Sequence, residues 1–286
     1  MKIAVTGTTG FIAAALLPLL RSSGHSVLPV RHNEPIPPLD GVDAVIHLGG
    51  LAHRTGRATP TPEEFEQANH IFTRDLAQRA RDARVGRFVL VSTVNVVAAN
   101  PGVLSPDMPI SPLSPYGESK ARGEQAVLQQ REIGPVVLRP PLVYGANAKA
   151  NIRGLAKLAL TSWPLPFASV NNRRTMVGLT NLVEAITFAA TAPGIEGRIF
   201  HVTDARPLSL REIVGTIRHS LGRPERMYPL PVWLMRLAMR GLGRSHMADQ
   251  LFGDLLVDGS ALNNAGWVPR HDPTGDLAAM ARSLAR

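Results

Sequence analysis

KIAVTGTTGFIAAALLPLL (residues 2–20) is a short apolar run, a glycine-containing turn and a longer apolar run. Residues 2–7 read as a buried strand ending in glycine, and residues 11–24 as a helix closed by Gly24. Pro18 conflicts with that helix and predicts a kink or an irregular turn. Gly7 permits a tight turn between strand and helix. Gly10 lets a pyrophosphate approach the backbone, and the helix that follows offers its unpaired N–H groups to the phosphates. A third close-contact position falls on Ala13, where a small residue suffices. The turn therefore predicts a dinucleotide site at Gly7, Thr9, Gly10, Phe11 and Ile12; the competing reading is an ordinary strand–helix turn.

The chain beyond the turn keeps the same rhythm. Strand-like runs recur at 25–32, 42–50, 87–93, from 134 and at 197–204. Helical segments fall at 61–85, 116–132, 151–160, 181–194 and 209–222, and Thr61 with Glu64 forms a potential capping box. The proline-rich stretch 101–115 reads as a loop. Alternating apolar strands and helices predict an α/β fold, a Rossmann-type doubly wound parallel sheet. The pattern changes character after residue 145. Residues 1–145 are expected to form the dinucleotide-binding domain, completed by segments from about 175–204. Residues 146–286 are expected to form mainly a smaller C-terminal substrate-binding lobe, interleaved with the first.

Composition narrows the function. The 286 residues contain no cysteine, which excludes disulfides, cysteine nucleophiles and thiolate metal sites. The nine histidines are scattered without an H-E-x-x-H, so no metal is expected. The net charge is +9, with basic residues spread mostly singly and only 5% aromatic residues. That balance suits a nucleotide or nucleotide-sugar ligand and gives no nucleic-acid signature. Gly7, Gly10 and Pro18 break the N-terminal apolar run too early for an export signal, and no run of eighteen apolar residues spans a bilayer. A cytoplasmic protein is expected. The amphipathic stretch WLMRLAMRGLG (233–243) reads as a core or lid helix, with contact to a membrane surface the less favoured alternative.

The end of the second strand bears on the cofactor. A carboxylate there would accept hydrogen bonds from an adenosine ribose, but the chain has Arg31 and His32, with no acid until Glu34. An arginine pairs instead with a ribose 2′-phosphate, which favours NADP over NAD.

SPYGESK (114–120) opens the helix that begins near Tyr116. Tyr116 and Lys120, four residues apart, share one helix face. A phenol beside an ammonium is an acid/base pair, because the cation stabilises the phenolate.

These stretches together resemble the extended short-chain dehydrogenase/reductase superfamily. The motifs are TGTTGFIA (6–13), HLGG (47–50), VST (91–93) and Tyr116-x-x-x-Lys120. LRPPLVYG (138–145), NNRRTMVGLTNLVEAI (171–186) and NNAGWVP (263–269) resemble the branch acting on nucleotide-diphosphate sugars, the NAD-dependent epimerase/dehydratase family. The resemblance spans nearly the whole chain and implies roles for individual residues. Thr93 matches the hydroxyl that binds the reacting substrate oxygen, Tyr116 the acid/base, and Lys120 the lysine that lowers the tyrosine pKa and holds the nicotinamide ribose. Ser92 is adjacent, and strand alternation points only one of the two hydroxyls to the site. Leu48, Gly49 and Asn69 match cofactor-side positions, Asn69 supporting the site through its backbone or a water. Asn151 and Arg174 match residues that bind the substrate diphosphate, with Arg173 the alternative to Arg174. Val97-Ala98 departs from the family's tyrosine-glycine pair, and Arg31 replaces its usual acid.

The resemblance implies an NAD(P)-dependent oxidoreductase acting at C4 of a nucleotide-diphosphate hexose. It also implies, as alternatives, a UDP-hexose 4-epimerase with tightly held NAD, or a non-catalytic dinucleotide-binding protein with a regulatory or assembly role. A homodimer is usual in the family.

Overall fold

Strands that are apolar on both faces need helices on both sides, and the chain forms that arrangement. The structure, a computed structural model, describes residues 1–32, 34–52, 60–148 and 151–285; of Asn151, Arg153, His246 and Ala285 it describes only the backbone.

The first part of the chain runs β1 (Lys2–Thr6), α1 (Phe11–Ser22), β2 (Ser26–Val30), β3 (Ala44–His47), α2 (Pro62–Glu66), α3 (Phe72–Asp82) and β4 (Arg87–Val91). It continues through β5 (Val103–Leu104), α4 (Pro115–Leu128), β6 (Pro135–Arg139) and β7 (Leu142–Tyr144). The remainder comprises α5 (Asn151–Ala159), β8 (Met176–Gly178), α6 (Leu179–Thr191), β9 (Ile199–His201) and α7 (Leu210–His219). It ends with α8 (Val232–Gly241), α9 (Ser245–Phe252), β10 (Leu256–Val257), α10 (Ser260–Asn264) and α11 (Pro273–Ala285).

Six strands form one parallel sheet in the order β2-β1-β3-β4-β6-β9. This is a Rossmann-type α/β fold. The order reverses between β1 and β3, so a crevice opens at the carboxyl ends of these strands, where such sheets bind ligands. Strand alternation divides the core. Ile3 and Val5 point toward Leu16 and Leu20 of α1 and Leu182 and Ile186 of α6. Ala4, Val45, Phe88 and Leu90 pack on the other face against Leu76 and Ala80 of α3 and Val127 of α4. A separate cluster beyond the sheet joins Tyr144, Ile152, Phe167, Met176, Ile213, Ile217 and Met280.

Several local expectations are revised. Pro18 neither ends nor breaks α1. It lies on the exposed face, where water can satisfy the carbonyl that loses its helical donor. The second strand stops at Val30, so Arg31 lies just past it; Pro29 is tolerated because β2 is the edge of the sheet. The loop 101–115 includes the short β5, which pairs with β10. The helix from Tyr116 ends at Leu128 rather than 132, and Arg131–Ile133 is a separate 3₁₀ turn. Residues 61–85 start with the expected Thr61–Glu64 capping box, but a π turn at Gln67–Ile71 separates α2 from α3. The stretch 233–243 is not a core helix: Met235 is the buried residue of α8, while Trp233, Leu234 and Leu237 are exposed.

Candidate active site

Gly7 takes φ +66°, and a Cβ there would sit 3.1 Å from the Gly49 nitrogen. Glycine is needed twice over, for the backbone angle and for the approach of the β1 and β3 ends. Gly10 N–H closes the turn on the Gly7 carbonyl at 2.9 Å. Gly10 caps α1 in an extended conformation without a side-chain cap, which leaves the first-turn N–H groups, including those of Phe11 and Ile12, open to a ligand. Thr9 is exposed beside them, and Leu48 and Gly49 are half-buried at the end of β3.

Beneath this turn lies a buried chain of hydrogen bonds. Thr6 Oγ1 accepts the Gly49 N–H at 2.9 Å and lies 2.6 Å from His47 Nδ1. His47 Nε2 lies 2.8 Å from Thr73 Oγ1, and Thr73 donates to the Asn69 carbonyl at 2.8 Å. Since the Thr73 proton is committed to Asn69, His47 donates from Nε2, and its lowered pKa leaves Nδ1 to accept from Thr6. The imidazole is therefore neutral. Burial first, and then the charge of Lys120, lower its pKa from 6.5 to about 3.

Asn69 lies in the π turn, where an extra residue in the helix resets the side-chain direction. Besides the backbone carbonyl that accepts from Thr73, its side chain braces the surrounding loops. Oδ1 accepts from the Leu51 N–H at 2.7 Å, and Nδ2 donates to the Leu51 carbonyl and to Ser119 Oγ, each at 3.0 Å. Ser119 in turn donates to the Tyr116 carbonyl at 2.9 Å. Gly123 allows α4 to lie against this turn, since a Cβ there would come within 2.4 Å of the Asn69 carbonyl oxygen.

The start of α4 is defined locally. Ser114 accepts the Gly117 N–H at 3.2 Å, and Pro115 occupies the first helical position. Tyr116 then meets the end of β4, where its phenol faces the Thr93 hydroxyl. Burial pushes the phenol up to about 12, and the Thr93 hydroxyl opposes that rise. Lys120 is buried one turn further along and donates from Nζ to the Val91 carbonyl at 2.9 Å. Burial pulls its ammonium down to about 8, against the pull of Glu124. Thr93 also accepts the Asn95 N–H at 3.2 Å, which fixes its rotamer. Ser92 Oγ is buried and has no partner among the described residues. The two hydroxyls thus diverge, and Thr93 is the one on Tyr116.

The remaining predicted residues are less tightly grouped. Arg31 is exposed, with Nη1 2.9 Å from Glu34 Oε1. Asn151 begins α5, and its side chain lies outside the described residues. Arg173 has an exposed side chain, and its backbone N–H donates to Asp254. Arg174 is half-buried, donates from Nη1 to the Gly253 carbonyl at 3.0 Å, and has its pKa lowered by burial. The arginine pair is thus tied to residues 253–255 rather than to Tyr116 or Thr93. Sequence reasoning missed Thr6, His47, Thr73 and Ser119, and also the buried Arg139–Glu124 ion pair at 2.6 Å, which anchors the helix of Tyr116 to β6. The HLGG motif, whose histidine lies on a buried strand, was the available signal for His47.

The family model for NAD dependent epimerases and dehydratases matches residues 3–202, most of the chain and all of this site up to the arginine pair. The chain belongs to the NAD dependent epimerase/dehydratase family. It is 29% identical to a UDP-glucose 4-epimerase of Vibrio cholerae, with 94% of this chain and 90% of the other covered. It is also 29% identical to a 2-alkyl-3-oxoalkanoate reductase of Stenotrophomonas maltophilia, covering 78% and 77% of the two chains. In fold it is similar to the UDP-glucuronic acid 4-epimerase of Bacillus cereus in complex with NAD. That match has a TM-score of 0.79 at 20% identity and covers 100% of this chain and 99% of the other.

The residues present fit the cofactor of this epimerase/dehydratase family. The open first turn of α1, just beyond the glycine turn, presents unpaired N–H groups where a dinucleotide pyrophosphate would lie. Gly7, Gly10, Phe11 and Ile12 would hold its pyrophosphate.

Proposed function

We propose that this protein is an NAD(P)-dependent oxidoreductase acting at C4 of a nucleotide-diphosphate hexose, as a 4-keto sugar reductase or the corresponding dehydrogenase. The observation that carries the reading is the buried Lys120 ammonium, held by the Val91 carbonyl at the end of β4, where the Tyr116 phenol faces the Thr93 hydroxyl. The nicotinamide supplies or accepts the hydride. Thr93 and Tyr116 hold the substrate oxygen, and Tyr116 delivers the proton that converts the developing alkoxide to the alcohol. Lys120 stabilises the phenolate left behind and holds the nicotinamide ribose. Arg174, or Arg173 in its place, pairs with the substrate diphosphate together with Asn151.

A second reading is a UDP-hexose 4-epimerase that keeps its NAD through two opposite hydride transfers. The similarity to the Vibrio cholerae UDP-glucose 4-epimerase favours it. A turnover screen with UDP-, GDP- and dTDP-hexoses and their 4-keto forms tests both. Stoichiometric oxidation of added NADPH or NADH by a 4-keto sugar supports the reductase. Interconversion of two UDP-hexoses without added cofactor supports the epimerase. No turnover of any nucleotide sugar removes both.

A further inference from the structure

The C-terminal part of the chain carries an apolar helix face that its own core does not cover. On α8, Met235 turns inward and joins the cluster containing Ala248 and Phe252. Trp233 and Leu237, four residues apart, lie on the outward side and are 64% and 59% exposed. Leu234 adjoins them, and Leu242, 72% exposed, follows at the end of the helix.

The charges on the helix itself are all basic. Residues 227–248 contain three arginines and no carboxylate. Arg236 is paired with Asp249 at 2.5 Å. Arg240 and Arg244 are exposed and have no carboxylate partner among the described residues. Tryptophan and leucine on one side with flanking arginines make a helix that lies in the plane of a lipid interface. No helix among the described residues is long and apolar enough to cross a membrane, so such contact would be confined to the surface.

We propose that α8 docks this protein on the surface of an anionic lipid bilayer, with Trp233, Leu234 and Leu237 entering the headgroup region and Arg240 and Arg244 facing the lipid phosphates. A second copy of the chain is a poorer occupant on two counts. Pairing α8 with itself would bring arginines of two strongly basic chains together. A ten-residue helix is about 15 Å long, and one face of it offers well under the roughly 800 Å² per partner of a standard interface. α8 belongs to the later part of the chain, outside the six-stranded sheet. The segment it belongs to nevertheless returns at Leu251 and Gly253 to bind Asn172 and Arg174.

The test is co-sedimentation of the full chain with vesicles of phosphatidylcholine alone and of phosphatidylcholine with phosphatidylglycerol. Binding to the anionic vesicles and not to the neutral ones, weakened by salt, is expected. Leu237→Glu should abolish it, and Arg240→Gln and Arg244→Gln should each weaken it by about fivefold. Val268→Glu, at another exposed apolar residue, should bind as the wild type does and exclude a general charge effect. Equal binding to both vesicle types, no binding to either, or undiminished binding by Leu237→Glu overturns the proposal. A dimer that Leu237→Glu splits, in a protein that ignores vesicles, also overturns it and assigns the face to a second copy.

Discussion

Lys120 Nζ donates to the carbonyl of Val91 at 2.9 Å, so an ammonium carried by α4 is held at the end of β4. The bond places the charge beside Thr93, two residues along the chain, and keeps the long side chain from turning to solvent. The carboxylate of Glu124 opposes the effect of burial, so the pKa of the lysine falls only to about 8.

This pKa predicts the alkaline side of the activity profile. Lys120 is charged below its pKa, and the phenol, at about 12, keeps its proton well above it. The kcat/KM for reduction should therefore be flat below pH 8 and fall above it as Lys120 deprotonates, by about tenfold per pH unit. A profile that stays level to pH 10 would refute the assigned role of the lysine.

Tyr116→Phe removes one oxygen and leaves α4 capped by Ser114. Turnover should drop by roughly 10²–10⁴, with little change in dinucleotide affinity. Thr93→Val should lower turnover in the same direction by a smaller factor, since the phenol remains. Rapid-mixing measurements of the hydride step on both variants check this, and half-maximal activity in Tyr116→Phe would be fatal to the mechanism.

Acid should destabilise the fold through its buried histidines. His47 and His201 are held neutral, with pKa values near 3 and 4 against 6.5 for the free side chain. The unfolded chain therefore binds more protons than the folded one between these values. Stability is fully present above pH 6.5 and is lost as pH falls toward 3, at about 1.4 kcal/mol per pH unit for each histidine. From pH 6.5 to 5 the two together would remove at most about 4 kcal/mol. Urea unfolding across this range should show the slope, and His47→Gln should show a shallower one.

Gly123→Ala should separate α4 from the π turn, because the new Cβ would meet the Asn69 carbonyl oxygen at 2.4 Å. The expected loss is about 1–3 kcal/mol. Turnover should fall with it, since Asn69 braces both Leu51 and Ser119. Gly154→Ala, in a helix with nothing within 4 Å of the added carbon, should be neutral or stabilising. Equal melting temperatures for the two variants would show that the contact relaxes at no cost.

Cofactor preference should depend on Arg31 and its partner. Arg31 should favour NADPH over NADH by about tenfold to a hundredfold, the effect of one charge-assisted contact. Glu34 holds the same guanidinium, so Glu34→Gln should widen the preference and Arg31→Asp should reverse it. Fluorescence titration with both reduced cofactors decides this, and equal affinities in the wild type would mean that Arg31 does not read the ribose.

What the sequence revealed was mostly local. The glycine turn and the Tyr116–Lys120 spacing each lie within one short stretch, and alternation at the end of β4 separates Ser92 from Thr93. The relay through Thr6, His47 and Thr73 joins residues 41 and 26 positions apart, and no periodicity predicts such a meeting. The π turn left no trace either, because one extra residue in a helix does not alter composition. In α8, the amphipathic pattern identified a face but not what lay opposite it, so the stretch read as a core or lid helix.

The π turn also sets a limit on change. A π turn is a helix carrying one residue more than its geometry requires. Deleting one residue of Gln67–Ile71 would yield a regular α-helix, with the residues beyond it kept in phase. Leu76, Ala77 and Ala80 would keep their places in the core, while Asn69 would lose the bulge that aims it at Leu51. The extra residue thus serves the site and not the sheet. Loss of one residue here is expected to spare the fold and to remove the brace.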